Sequence, residues 1–204
     1  MNETTKLILA IEWELFGRVQ NIGGRADCQD NRDTFLLMRS SQLDAWTEEM
    51  RRSWLDDLHL ARAEGRNPLA EKYGYMMERT DPIGYARIAD SLPPRSPEKL
   101  ELISHICAVH LDWMDALRCR YPALTGRGRA VDSDADSIYA TSFSTYLAGE
   151  LATYSTHTLK LYWSYVQTLV TEEKNLNEQI LKNTVEQYGY PSLESAEIAF
   201  SPVV

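Results

Sequence analysis

Apolar residues recur with the spacing of an α-helix along almost the whole chain. No segment shows sustained alternation of apolar and polar residues bounded by hairpin turns, which is the pattern that a half-buried strand requires. The first helix, predicted over residues 5–20, shows the helical spacing clearly in an apolar stripe of Leu7, Ile8, Ile11, Leu15, Phe16 and Val19. We therefore expect an all-α fold, namely one single-domain helical bundle of about six to eight helices over residues 1–204.

Helix boundaries can be predicted where capping residues are followed by proline. Asn67 precedes Pro68 and Ser96 precedes Pro97, and both pairs are typical of a helix start. We expect the first helix to stop at residues 21–24, because glycine takes the left-handed cap conformation without a steric cost. A later helix is predicted over residues 139–167, and the tail at residues 190–204 is expected to pack loosely.

Composition limits the partners and the compartment. The chain has 204 residues, 44% of them hydrophobic, and a net charge of -9 that makes nucleic acid an unfavourable partner. No apolar run approaches the roughly 20 residues of a spanning helix, and acids interrupt the short apolar segment at the N-terminus, so neither a membrane span nor a signal peptide is expected. The three cysteines show no metal-binding or disulfide spacing, which favours reduced thiols in a cytoplasmic protein. The sequence leaves a homodimer open.

The most polar part of the predicted core lies between residues 12 and 42. It combines Glu12, Arg25, Cys28, Gln29 and Arg39 with aromatic and apolar residues. Polar groups are costly to bury unless each finds a partner, so this density indicates a built site. Glu12 falls at the edge of the apolar stripe of the first helix and is a candidate proton-transfer group, while the cationic neighbours of Cys28 would favour its thiolate form if they were close in space.

A second polar group occupies one face of the helix predicted over residues 139–167. Tyr146, Glu150 and Tyr154 are spaced four residues apart, His157 flanks them, and Gly149 would allow another backbone to approach closely. Burial would raise the pKa of Glu150 and hydrogen bonds or an arginine would lower it. The alternative interpretation is structural: the hydroxyl groups satisfy one another in a helix interface and Glu150 only pairs with an arginine.

A third candidate helix carries Glu71, Tyr75 and Glu78 on one face, with Lys72 beside them. Tyr75 is a candidate substrate-binding residue. A surface ion-pair array is the favoured interpretation of the charges, because alternating charges are common on exposed helices.

Motifs for metals and cofactors are weak or absent. Glu101 and His105 could reach one ion, but His110 lies about 140° further round the helix and no HExxH pattern completes the set. Glycine motifs for nucleotides and the serine-hydrolase elbow are also lacking, so we expect neither a metal nor a cofactor. The GRGR run at residues 126–129 could hold a phosphate or carboxylate, and residues 125–137 form either a mobile surface connection or a lid.

Five segments together resemble a known family. They read EWELF, NIGGRADCQD, TFLLMRSSQ, GRNPLAEKYGYMMERT and TSFSTYLAGELATYSTHTL, and they fall within residues 8–161. The chain is similar here to the bacterial and fungal family catalogued as domain of unknown function 4125, which implies a shared single-domain fold and polar signature but no assigned activity. Asp27 and Ser144 depart from the family pattern, where a small hydroxyl residue and an acid are expected respectively.

From these observations we expect a cofactor-independent enzyme of specialised metabolism that acts on a small molecule, carboxylate-bearing or aromatic, by acid-base chemistry such as cyclisation, condensation or elimination. Glu150 or Glu12 would move a proton, and Cys28 could instead serve as a nucleophile. The residues expected to bind the substrate are Arg25, Gln29, Arg39, Tyr75, Tyr146, Tyr154 and His157. The rival hypothesis is a non-catalytic binding or regulatory module in which a buried polar network fixes the helix packing.

Overall fold

The computed structural model describes residues 1–20 and 24–201, and this part of the chain is all-helical with no β-strand. It contains eleven α-helices, more than the six to eight predicted, because several predicted helices are divided by short breaks. They are α1 (Glu3–Gly17), α2 (Arg32–Asp44), α3 (Glu48–Ala63), α4 (Pro68–Thr80), α5 (Pro82–Ile88), α6 (Pro97–Arg120), α7 (Pro122–Thr125), α8 (Phe143–Leu151), α9 (Thr156–Thr171), α10 (Leu176–Gln187) and α11 (Leu193–Phe200).

The capping signals in the sequence mark true helix starts. The Asn67 side chain accepts hydrogen bonds from the backbone of the first turn of α4, and Ser96 does the same for α6 by accepting from Lys99 N. Each is followed by proline at the first helical position, where the missing N–H leaves no bond unmade. Local sequence therefore fixes where α4 and α6 begin.

One principal hydrophobic core holds most of the helices together. In it α1 packs against α3, α2 against α10, α4 against α8 and α6 against α9. Its completely buried members include Leu43, Met50, Leu58, Ile106, Leu151, Leu159 and Leu176. None of the helices in the described residues combines the length and the apolar character needed to cross a bilayer.

The structure differs from the predicted boundaries in three places. Helix α1 ends at Gly17, before the predicted end at residue 20, and the predicted stop at residues 21–23 lies outside the described residues. The single helix predicted over residues 139–167 is the pair α8 and α9, because Thr153 bonds back to the Glu150 carbonyl and Ser155 caps a new helix. The tail forms α11, whose Leu193 and Ala196 are buried in a second, smaller core.

The loop between α7 and α8 is held by several hydrogen bonds. Phe143 N and Ser144 N donate to the carbonyls of Ala130 and Val131, and the Asp136 carboxylate accepts from the Ser142 backbone. The predicted mobility of residues 125–137 stays a prediction.

Gly149 brings α8 close to α4, whose backbone is the one that approaches this glycine. A β-carbon at this position would lie 2.6 Å from Met76 Cγ and 3.0 Å from the Lys72 carbonyl oxygen, so only glycine fits without movement. This close contact places Glu150 on α8 beside the Lys72 side chain on α4.

Replacing Gly149 by alanine is expected to lower the free energy of unfolding by about 1–3 kcal/mol, because the added methyl group overpacks the α4–α8 contact. Urea denaturation followed by circular dichroism measures the change. Gly17→Ala is the matched control, since nothing lies within 4 Å of its added carbon, and we expect no loss of stability from it. A Gly149→Ala protein as stable as the wild type would contradict the packing argument.

Candidate functional site

A cavity of about 510 Å³ lies among α1, α2, α4 and α8. Cys28 and Arg129, both exposed, mark its mouth. Its apolar lining includes Phe16, Phe35, Met38, Leu69 and Ile180, and its charged lining includes Glu12, Arg39, Lys72 and Glu150. A volume of this size is typical of a small-molecule site.

The four charged side chains form one hydrogen-bonded group, which we call the buried charge network (Glu12, Arg39, Lys72 and Glu150). Arg39 donates from Nε and Nη2 to the two carboxylate oxygens of Glu12, at 2.7 Å each. Its Nη1 donates to Glu150 Oε1 at 2.6 Å, and Lys72 Nζ donates to Glu150 Oε2 at 2.7 Å. Four helices, α1, α2, α4 and α8, each supply one member.

Neutral side chains complete the hydrogen bonding of both carboxylates. Trp54 Nε1 donates to Glu12 Oε1 at 2.7 Å. The Tyr154 hydroxyl donates to Glu150 Oε1 at 2.7 Å, and Gln42 Nε2 donates to the same oxygen at 3.1 Å. Both carboxylates are therefore held by several donors, as buried charges must be.

The network is buried, and its acids and bases form ion pairs. Only 1% of the Glu12 side chain, 9% of Glu150, 12% of Lys72 and 14% of Arg39 is exposed. Burial by itself would raise the pKa of Glu150, but the positive charges of Arg39 and Lys72 and the bonds from Lys72 and Tyr154 outweigh it, so the pKa lies well below its usual range. Burial would lower the pKa of Lys72, but the Glu150 carboxylate more than compensates and the pKa is raised. The two acids and two bases together carry no net charge.

Five of the side chains predicted for the site line this cavity: Glu12, Cys28, Arg39, Tyr146 and Glu150. Their convergence from distant parts of the sequence is a finding of the structure. Their chemical roles stay predictions.

Arg25 and Gln29 do not line the cavity and instead fix the chain between α1 and α2. Arg25 forms an ion pair with Asp30 at 2.8 Å and donates to the Gln29 carbonyl. The Gln29 amide is buried and donates to the carbonyls of Phe16 and Val19, at 2.9 Å each, near the end of α1. In this structure both side chains organise the loop that carries Cys28.

The other three predicted side chains also lie outside the cavity lining. The Tyr75 hydroxyl donates to the Pro93 carbonyl at 2.6 Å, on another side of α4. Tyr154, 1% exposed, lies behind Glu150 and reaches it from the turn after α8. His157 is exposed on α9. The predicted ladder therefore breaks after Glu150, although its Tyr154–Glu150 contact is made.

The predicted site residues did not include Lys72, Gln42 and Trp54, which line the cavity. Arg129, also in the lining, belongs to the GRGR run that the sequence offered as able to hold a phosphate or carboxylate. Lys72 could not be told apart from the other charges of α4, of which Glu71, a buried residue, pairs with Arg66, and Glu78, a more exposed one, pairs with Arg95. Gly149 could have indicated Lys72, because a small residue at this position lets α4, the helix that carries Lys72, pack closely against α8.

The Tyr146 ring carries two cations at the cavity. Lys72 Nζ lies 3.4 Å from the ring centroid and Arg129 Cζ lies 4.5 Å from it. Both contacts are within the range of a cation–π interaction. The aromatic ring therefore links the inner end of the cavity to its mouth.

The described residues contain no group of three or more histidine, cysteine, aspartate or glutamate side chains arranged to hold a metal ion. Two of the residues considered as metal ligands from the sequence have other contacts: His110 forms a hydrogen bond with Asn177 at 2.6 Å, and His105 stacks on Trp163.

Comparison with known proteins identifies the family. Residues 2–198 match the family described as "Protein of unknown function (DUF4125)", and the chain belongs to it. No curated protein and no solved structure is significantly similar to the chain.

Proposed function

We propose that the protein is a cofactor-independent enzyme that acts on a small molecule in the cavity, and that Lys72 stabilises negative charge developing on a substrate oxygen. The observation that carries the proposal is the position of the Lys72 ammonium group. It lies on the cavity wall, 12% exposed, and among the described residues it donates one hydrogen bond, to Glu150. An ammonium group has three donors, so the other two remain for a ligand and for the Tyr146 ring.

The electrostatics favour this role for Lys72. Its raised pKa keeps it protonated at neutral pH, so it is an ammonium donor and not a free amine nucleophile. A cation fixed in a site of low dielectric stabilises an enolate or alkoxide without reorganising during the reaction. The α-proton that leaves when an enolate forms passes to a solvent base that enters the cavity. Cyclisation, condensation and elimination reactions of carbonyl compounds can pass through such an oxyanion.

Glu150 acts as a positioning residue in this proposal. A carboxylate that accepts four hydrogen bonds and has a lowered pKa is a weak base at neutral pH. Its contribution is to hold Lys72 in place and to keep the site electrically neutral. The proposal treats the chain as one helical domain, because the four helices that supply the network share one principal core.

A carbon-acid exchange assay tests the proposal. Exchange of the α-protons of phenylpyruvate, which is anionic, and phenylacetone, which is neutral, would be followed in D₂O by proton NMR. We expect the wild-type protein to accelerate exchange of at least one compound, and Lys72→Met to reduce that acceleration by about 10²–10³-fold, the usual effect of losing one oxyanion donor.

The control is Lys182→Met, which removes an exposed lysine paired with Glu186 on α10. Circular dichroism and a melting curve establish that each variant is folded, and Lys72→Arg provides a second variant that keeps the positive charge. An exchange rate that is the same with wild type, Lys72→Met and no protein would overturn the proposal.

A non-catalytic module is the second candidate, and one observation favours it: every oxygen of Glu12 and Glu150 already accepts a hydrogen bond from the protein. Such a network can have a purely structural role, which is to fix how α1, α2, α4 and α8 pack. Under this alternative, Lys72→Met lowers the melting temperature and the wild-type protein gives no exchange above the background.

A further inference from the structure

We propose that the cavity takes a monocarboxylic acid with an apolar, preferably aromatic, body, and that Arg129 recognises the carboxylate. The inference rests on the proposed function and specifies its substrate class. It assigns anion recognition to Arg129, the last residue of the GRGR run, and not to Arg25 and Arg39, which the sequence favoured for binding the substrate. Arg25 lies outside the cavity lining, and Arg39 is already bonded to two carboxylates.

Arg129 is the cation of the cavity for which the described residues supply no carboxylate partner. Within the part of the chain that the structure describes, its contacts are a hydrogen bond from Nη1 to the Thr141 carbonyl, at 3.1 Å, and the face of Tyr146. A guanidinium group has five donors in a planar fork that matches a carboxylate. Donors of Arg129 therefore remain for a ligand at the mouth.

The charge balance of the cavity lining favours a ligand with one negative charge over a ligand with two. Outside the neutral buried charge network, the charged lining residues are Arg129 and Asp27. The lining as a whole thus carries equal numbers of acids and bases. A single carboxylate adds one negative charge to this balanced lining and can pair with Arg129, whereas a dianion such as a phosphate monoester adds two and finds no second unpaired cation in the described lining.

The apolar walls of the cavity favour a ligand whose body is aromatic. The rings of Phe16 and Phe35 stack with centroids 5.2 Å apart and planes inclined by 19°, and both line the cavity. Met38, also in the lining, is 51% exposed although it is apolar. An aromatic body would cover these surfaces and gain the free energy of apolar burial.

The two cations on Tyr146 orient the ligand. Arg129 lies at the mouth and Lys72 lies at the buried charge network, and both contact the same ring. A ligand that contacts both cations places its carboxylate at Arg129 and an oxygen further along its length at Lys72. This is the arrangement that the oxyanion chemistry proposed above requires.

Matched acids and amides test the inference by isothermal titration calorimetry. The probes are indole-3-acetate and its neutral isostere indole-3-acetamide, each titrated into the wild-type protein, Arg129→Met and Arg127→Met. Arg127 is the matched control, because it lies in the same loop but its guanidinium stacks on Phe200, at 4.3 Å from the ring centroid. Arg129 is exposed, so its removal has little effect on stability.

We expect the acid to bind the wild-type protein about tenfold more tightly than the amide, the effect of one charged hydrogen bond. Arg129→Met removes this difference by weakening the acid alone, and Arg127→Met preserves it. Equal affinity of acid and amide, an unchanged preference in Arg129→Met, or no binding of either probe would overturn the inference.

The two proposals fail in different ways. Acid binding that depends on Arg129, together with no Lys72-dependent proton exchange, would retain the ligand class and reject the enzyme. Lys72-dependent exchange of phenylacetone and phenylpyruvate at equal rates, unaffected by Arg129→Met, would retain the enzyme and reject the ligand class.

Discussion

Replacing Arg39 by methionine is expected to lower the free energy of unfolding by about 3–5 kcal/mol, the usual cost of removing one partner from a buried ion pair. The reason is that Arg39 binds both carboxylates of the network. Glu12, 1% exposed, would lose both of its charged hydrogen bonds, and of the bonds that the described residues make to it the one from Trp54 would remain. Urea unfolding monitored by tryptophan fluorescence measures the loss.

Arg18→Met provides the comparison for this prediction. Arg18 forms an ion pair with Glu14 at 2.6 Å one turn away on α1, and its side chain is 67% exposed. Pairs of this kind contribute about 0–1 kcal/mol, so this variant should unfold almost like the wild type. A loss for Arg39→Met no larger than that for Arg18→Met would show that the buried charges do not depend on Arg39.

Acidification from pH 6.5 to pH 4 is expected to remove up to about 3 kcal/mol of stability through His110 alone. The Nδ1 atom of this buried histidine lies 2.6 Å from Asn177 Oδ1, and Asn177 Nδ2 donates to the His110 carbonyl. Nδ1 therefore carries the proton of a neutral ring, and Nε2 accepts from the Tyr162 hydroxyl at 3.1 Å. Burial lowers the pKa of His110 from 6.5 to about 4, although the bond to Asn177 opposes the shift.

The direction of this effect follows from proton linkage. Between pH 6.5 and pH 4 the unfolded chain binds a proton at His110 and the folded protein does not, so stability falls as the pH falls. The lowered pKa of Glu150 changes the stability only below pH 4.5, the usual carboxyl pKa. The loss of stability between pH 6.5 and pH 4.5 is therefore assigned to His110.

Urea unfolding at a series of pH values, with histidine NMR titration, measures this effect. His157→Gln, a change at an exposed residue, should leave the decline intact. An NMR midpoint for His110 near 6.5 in the folded protein would contradict the prediction.

Much of the fold was predictable because helix period and capping are local properties. The starts of α4 and α6 follow from Asn67–Pro68 and Ser96–Pro97, and the all-helical class follows from the spacing of apolar residues. The break between α8 and α9 was less visible, because it depends on Thr153 and Ser155 bonding to the backbone in place of continuing the helix.

The site was only partly predictable because its contacts are not local. Glu12 and Glu150 were selected for their inward positions on apolar faces, but Arg39 links them across 27 and 111 residues of sequence. Lys72 was missed because its position in the helical repeat of α4 does not show which neighbouring helix it faces. Gln29 was assigned to the substrate because its polarity was visible and its backbone partners, the carbonyls of Phe16 and Val19, were not.

The order in which the four charges appear in the chain has a consequence for synthesis. A ribosome produces Glu12, Arg39 and Lys72 well before Glu150, which is 78 residues after Lys72. Until α8 emerges, Lys72 lacks Glu150, its carboxylate partner in the network, and burying its charge is unfavourable. The nascent protein can therefore assemble the Glu12–Arg39 pair early, but α4 can take its final place only in the last third of translation, so the cavity is completed late.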